Sequence, residues 1–232
     1  MFIIGTHLEL GKNVKLHGWE VLTENIFNTA MLQADVEFPL KDKQTFFASA
    51  QLIRQDAVND GGNPDVTKSY FEKGGKAITF GAKAGWKNKQ WESSFNYNRI
   101  TGDGRYLMPR EWGREPFFTF MPRERNDGFG DVHAIMGKVN YNIPKMRLKT
   151  SLAAGYYKLP DVKNYRLNKY GLPSYSQFNA DVNYVFNKVF KGLEAQLLVV
   201  GKLKNGETYS NKKFEFNKVN MILYNFILNY HF

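Results

Sequence analysis

The sequence has no cysteine, which removes disulfides, thiolate nucleophiles and cysteine metal sites together. It also lacks any uninterrupted apolar run near the roughly 18 residues that a transmembrane helix needs, so a helical membrane protein is excluded. Helical 3.6-residue periodicity is hard to find anywhere. Histidine is scarce, with His7, His17, His133 and His231 the full set, and neither GxSxG nor HExxH occurs. An enzyme would need a nucleophile with a positioned base, so no catalytic residue, metal or cofactor is expected. The opening "MFIIGTHLELGKN" has none of the charged start, apolar stretch and small-residue cleavage site of a signal peptide. Either the chain is cytoplasmic or its beginning is missing.

What the sequence does hold is aromatic and basic. Aromatics make up 16% of the chain, with 13 Tyr and 19 Phe, and the formal charge is +10. That charge suits nucleic acid, lipid headgroups or small anions. Although 43% of residues are hydrophobic, the mean hydropathy is negative, because apolar residues alternate with polar ones. This period of two predicts strands near 2–10, 14–24, 28–40, 45–56, 77–87, 91–100, 132–143, 147–158, 176–187, 193–204 and 219–231.

The connections between these strands alternate in length. Tight polar turns ("GKN" at 11–13, "KDKQ" at 41–44, "KNKQ" at 87–90, "PKM" at 144–146, "KVFKG" at 188–192) interleave with loops at 57–76, 101–131, 159–175 and 205–218 and a shorter one near 24–28. A soluble β-sandwich also alternates in polarity, but nothing obliges it to put all long connections at one end. An outer-membrane barrel has that asymmetry. Its apolar face meets lipid and its polar face the lumen. Phe178, Ala180, Val182, Tyr184 and Phe186 thus oppose Gln177, Asn179, Asp181 and Asn183, and Ala30, Leu32, Ala34, Val36, Phe38 and Leu40 oppose Gln33, Asp35 and Glu37. Strands of ten or more residues exceed the usual soluble length. Trp86, Trp91, Tyr156, Tyr157, Phe186 and Tyr230 stand at strand ends, where interfacial girdles sit. The fold class read from the sequence is therefore all-β, a transmembrane antiparallel β-barrel of about eleven strands in one domain spanning 1–232.

The last strand, "NMILYNFILNYHF" at 220–232, puts Ile222, Tyr224, Phe226, Leu228, Tyr230 and Phe232 on one face. It resembles the C-terminal signal of bacterial outer-membrane proteins, which implies recognition by the barrel-assembly machinery. If residue 232 lies at the periplasmic side, the long loops all fall outside and the first strand starts outside. A bacterial barrel normally has an even strand number with both ends periplasmic. The chain is thus expected to be the C-terminal part of a longer barrel, lacking N-terminal strands and a signal peptide.

The longest connection, "TGDGRYLMPREWGREPFFTFMPRERNDGFGD" at 101–131, combines Arg105, Arg110, Arg114, Arg123 and Arg125 with Glu111, Glu115, Glu124 and Asp127 and an aromatic group of Trp112, Phe117, Phe118 and Phe120. A disordered loop has few aromatics; this one is expected to fold on itself. Arginine is the side chain that grips carboxylate or phosphate in a bidentate way. "PREWGREPFFTFMPRERNDGFGDVHA" at 109–134, with the terminal strand, resembles the OprD-type porin family of outer-membrane channels for small, often carboxylate, substrates. The resemblance implies a monomeric barrel of about 18 strands, loops folded inward to narrow the pore, and a line of basic side chains on the lumen wall. Parity places Lys83, Lys138, Arg147 and Lys149 on polar faces, with Lys202 and Lys204 beside Glu194 and Gln196. A cation at mid-membrane on the lipid face costs roughly 2–4 kcal/mol, so basic residues well inside strands should face the lumen.

The expected function is passive, partly selective uptake of small anionic solutes. Arg105, Arg110, Arg114, Arg123, Arg125, Lys83, Lys138, Arg147 and Lys149 line the path, and Glu124 and Asp127 keep the arginines apart so that binding stays weak enough for release. The partners expected are anionic solutes and outer-membrane lipid. A soluble nucleic-acid binder would share the charge and the aromatics. Here, however, the positive residues are spread over turns, loops and strands rather than gathered in one patch, and "GDGR" at 102–105 is an ordinary turn.

Overall fold

A computed structural model describes residues 1–109 and 113–231. Eleven strands run in chain order: β1 (Phe2–Leu10), β2 (Val14–Thr23), β3 (Phe27–Pro39), β4 (Thr45–Ala57), β5 (Lys76–Lys87), β6 (Trp91–Ile100), β7 (Val132–Ile143), β8 (Leu148–Lys158), β9 (Tyr175–Val185), β10 (Leu193–Lys204) and β11 (Met221–Tyr230). Each pairs antiparallel with its neighbours in sequence, in a single sheet ordered β1 to β11. The sheet is not closed: β1 and β11 are its two edges. Open edges carry unpaired backbone groups that a bilayer does not tolerate.

The alternation in connection length becomes a division between two rims. Tight turns, several resting on left-handed residues such as Asp42 (φ 57), Arg147 (φ 55) and Lys188 (φ 53), make one rim. The four long loops and the short turn between β2 and β3 make the other. The long loops pack on one another there: Gly130 N donates to Leu167 O at 2.9 Å, Tyr209 Oη donates to Asp161 at 2.7 Å, and Lys218 Nζ donates to Tyr170 O at 2.7 Å.

The face of the sheet covered by loop 101–131 is called the inner face. The other is apolar and bare, with Leu32, Leu52, Phe95, Leu152, Phe178, Tyr224 and Phe226 all exposed. A strand's side chains alternate sides because successive Cβ atoms point to opposite faces, so this whole surface follows from the sequence pattern. Trp91, Tyr156 and Tyr230 lie on it as expected. Tyr157 does not: it is 0% exposed, on the inner face, stacked on Tyr175 at 4.8 Å. Two basic residues inside strands also depart from the lumen expectation. Arg54 and Arg99 fall on the outer face at the long-loop rim, held by Asp56 at 2.7 Å and Asp131 at 2.6 Å. The main core lies between the inner face and the loop, built from Ile53, Ile100, Phe117, Met121, Phe129 and Tyr157 among others.

Candidate functional site

Loop 101–131 folds onto the inner face, and amide side chains of the strands hold its backbone. Gln55 of β4 donates to Leu107 O and accepts from Leu107 N, both at 2.9 Å. Gln51 donates to Pro116 O at 3.1 Å, and Tyr157 Oη to Thr119 O at 2.7 Å. Gln177 and Asn179 of β9 both donate to Pro122 O, at 2.8 and 3.0 Å. Arg123, at a left-handed φ of 69°, donates to Asn225 of β11 at 2.9 Å. The segment therefore reaches from β4 across to β11. Each such bond contributes about 0.5–1.5 kcal/mol, and a buried carbonyl robbed of its donor costs more.

These amides are the residues that sequence reasoning missed. Gln177 and Asn179 read as water-facing lumen wall, yet both are buried, because the loop takes the place of water. The signal was present in part: Gln and Asn, unlike Lys or Glu, can satisfy a backbone carbonyl and amide without burying charge. The returning arm is fixed by backbone pairing, Tyr106 to Phe129 and Phe129 to Asn168. Gly128 (φ +86) is required there, since a Cβ would lie 2.4 Å from the Tyr170 ring.

The loop aromatics take partners both within the loop and on the wall. Phe117 packs on Tyr106 at 5.0 Å, Phe118 lies 5.5 Å from Lys83 Nζ, and Phe120 lies 5.3 Å from the Arg114 guanidinium. The loop thus folds partly on itself, through Phe117 on Tyr106 and Phe120 by Arg114, and partly against the wall, through Phe118 by Lys83. Arg110, with Glu111 and Trp112, lies outside the described residues.

Two inner-face cavities of about 420 and 570 Å³ flank Arg123 and Glu124, which line both. The first, toward the long-loop rim, is lined by Arg125, Lys202, Lys218 and Met221. The second, toward the short turns, is lined by Arg114, Gln196, Asn225 and Ile227. Along β11 the lining passes from Met221 and Leu223 to Asn225 and Ile227, so the two cavities follow one another down the strand with Arg123 between them. Arg114 and Arg123 are exposed. Arg125 stacks on the Tyr170 ring at 4.1 Å and faces Asp127 at 3.7 Å. Glu124 and Asp127 are 1% and 3% exposed, set behind the arginines, with Tyr170 Oη donating to Asp127 at 3.2 Å.

Lys218 lies in the loop before β11, where burial first, and Lys213 second, push its ammonium below the usual lysine range. Burial also pushes Lys169 down, with Arg105 as the next cause. Arg105 thus lies near enough to Lys169 to act on its charge, as do Asp127 and Arg125.

Lys83 and Lys138 lie on the inner face, Lys83 with its ammonium 5.1 Å from the Phe47 ring. Lys149 shares the inner-face parity of Ser151 and Ala153. Lys202 stands over the Tyr175 ring at 4.8 Å. Lys204 is engaged by Glu215. Arg147 corrects the expectation: it precedes β8, in the turn, and its guanidinium reaches Phe186 O at 3.4 Å. The left-handed conformation that closes the turn takes it out of the alternating pattern.

A wall of long, neighbour-paired antiparallel strands with a loop folded onto its inner face is the architecture of a porin barrel. No protein-family model matches the chain, and no curated protein does. Solved structures do. The chain is similar to the outer membrane protein OprD from Pseudomonas aeruginosa, with a TM-score of 0.76 and 14% identity over 98% of this chain and 58% of that one. It is similar to OpdK from the same organism, solved with vanillate, with a TM-score of 0.76 and 10% identity over 98% and 55% of the two chains. OccAB3 from Acinetobacter baumannii gives 0.71 and 13% over 98% and 54%. The chain has the fold of the OprD/Occ porin barrels along nearly all its residues, and spans a little over half the length of each.

Proposed function

We propose that the chain is the larger part of an outer-membrane channel through which small anionic or carboxylate-bearing solutes diffuse passively. The observation that carries this reading is the position of Arg123, tied to Asn225 between two consecutive inner-face cavities. Cations follow one another along that path: Lys218, Lys202 and Arg125 before Arg123, and Arg114 after it. Attraction without a trap is what conduction needs. The carboxylates of Glu124 and Asp127 limit the field of the arginines in front of them. One structure of this fold holds vanillate, itself a carboxylate, which is compatible with the same substrate class. The chain works in the outer membrane of a Gram-negative bacterium, as a monomer when full length, with residues 220–232 as the address for barrel assembly.

The test is solute flux through the full-length protein in liposomes. Arg123→Ala with Arg125→Ala should reduce entry of a carboxylate about tenfold, the equivalent of about 1.4 kcal/mol, and leave a neutral sugar nearly unchanged. Equal losses for both solutes would overturn the electrostatic filter.

A further inference from the structure

His7 of β1 and His17 of β2 are directly opposed across the hairpin. Their rings are tilted at 49°, with the two Nδ1 atoms 3.0 Å apart. Each ring turns its other nitrogen to a carboxylate: His17 Nε2 lies 3.2 Å from Asp35, and His7 Nε2 lies 3.5 Å from Glu9. Asp35 is held in place by Ser49 Oγ at 2.5 Å and Gln33 Nε2 at 2.8 Å. His17 in turn is stacked on Trp19 at 5.3 Å and 5°. Lys15, 3.5 Å from Glu9, is the only other charged side chain paired into this group among the described residues.

A carboxylate only accepts hydrogen bonds, so an imidazole that donates Nε2–H to it turns an Nδ1 lone pair toward the opposite ring. Two such lone pairs at the 3.0 Å seen here repel unless a proton or a metal ion lies between them. Two nitrogens bound at about 2.0–2.1 Å to one ion, at an angle between a right angle and the tetrahedral value, stand about 2.9–3.4 Å apart. A histidine that donates its other N–H to a carboxylate is also the usual supporting arrangement of a metal ligand. We propose that His7 and His17 bind one divalent ion of the zinc or copper class on the inner wall, with Asp35 and Glu9 orienting the two rings. Imidazole nitrogen suits those ions. Among the described residues no group of three histidines or carboxylates converges on one point, so water completes the coordination. Asp35 also lines a polar cavity of about 360 Å³ with Lys15 and Lys83.

The test is calorimetric titration of the full-length, untagged protein in detergent with Zn²⁺ alone, near neutral pH. One saturable ion per chain is expected at this pair. His7→Ala and His17→Ala should each weaken it more than tenfold, Asp35→Asn about tenfold, and His133→Ala not at all, with circular dichroism showing that every variant is folded. With Cu²⁺, electron paramagnetic resonance should show two coupled nitrogens, falling to one in each single variant. Absence of saturable binding in the wild type, meaning that a shared proton holds the pair, overturns the proposal. So does binding that survives when His7→Ala and His17→Ala are combined. Neither outcome bears on what solute the pore carries.

Discussion

Gln177 and Phe178 are neighbours on β9, yet the polar one is 0% exposed and the apolar one 49% exposed. The same inversion recurs on β4, where Gln51 is buried beside exposed Leu52. The two faces differ in what fills the space beside them. The outer face presents an apolar surface broken by charge near the long-loop rim, as at Arg54 and Arg99. The inner face is divided between a stretch that grips the loop backbone with amides and stretches that open into polar or basic cavities. An Asn or Gln there has two different fates according to whether the loop reaches it.

The largest effect should come from placing charge on the outer face. Leu152→Arg, at the middle of β8, is expected to destabilise the full-length barrel by about 2–4 kcal/mol in urea-dependent folding into bilayers, while Lys138→Leu on the opposite face should change stability far less. Similar costs for the two would break the distinction between the faces. Next comes the loop grip. Gln177→Leu removes a donor from Pro122 O and buries that carbonyl less well satisfied, at about 1–3 kcal/mol. Single-channel conductance should rise as the loop loosens from β9; an unchanged conductance would mean that the loop is held elsewhere. The smallest effect concerns pH. Burial lowers Lys218 and Lys169, so rising pH strips their charge before that of exposed lysines. Anion preference, read as reversal potential, should therefore fall on the alkaline side, and Lys218→Gln should remove part of that fall. A profile identical to wild type would exclude Lys218 as the group.

Strand positions were legible to within two or three residues because the period of two is a covalent property of extended chain. The rims were legible because connection length is visible directly. Lys83, Lys138 and Lys149 were placed on the correct face by parity alone. Tyr157 and Arg147 were not. Tyr157 is aromatic near a strand end, and composition cannot tell an outward ring from one that bonds Thr119 O. Arg147 continues the alternation on paper, but a left-handed turn residue has no strand parity. Nor could the sequence reveal that Phe118 turns to Lys83 on the wall while Phe117 and Phe120 find partners within the loop.

The sequence by itself determined which side chains share a face, where the chain turns, and that the longest loop is rich in arginine and aromatic residues. All of these are set by local geometry or read from order along the chain. Only the tertiary structure decided that Gln51, Gln55, Gln177 and Asn179 hold that loop, that Arg123 stands between two cavities, and that His7 and His17 meet nitrogen to nitrogen. Those facts join residues 10 to 102 positions apart. They depend on strand register and on the loop displacing water from the wall, and no local pattern encodes either.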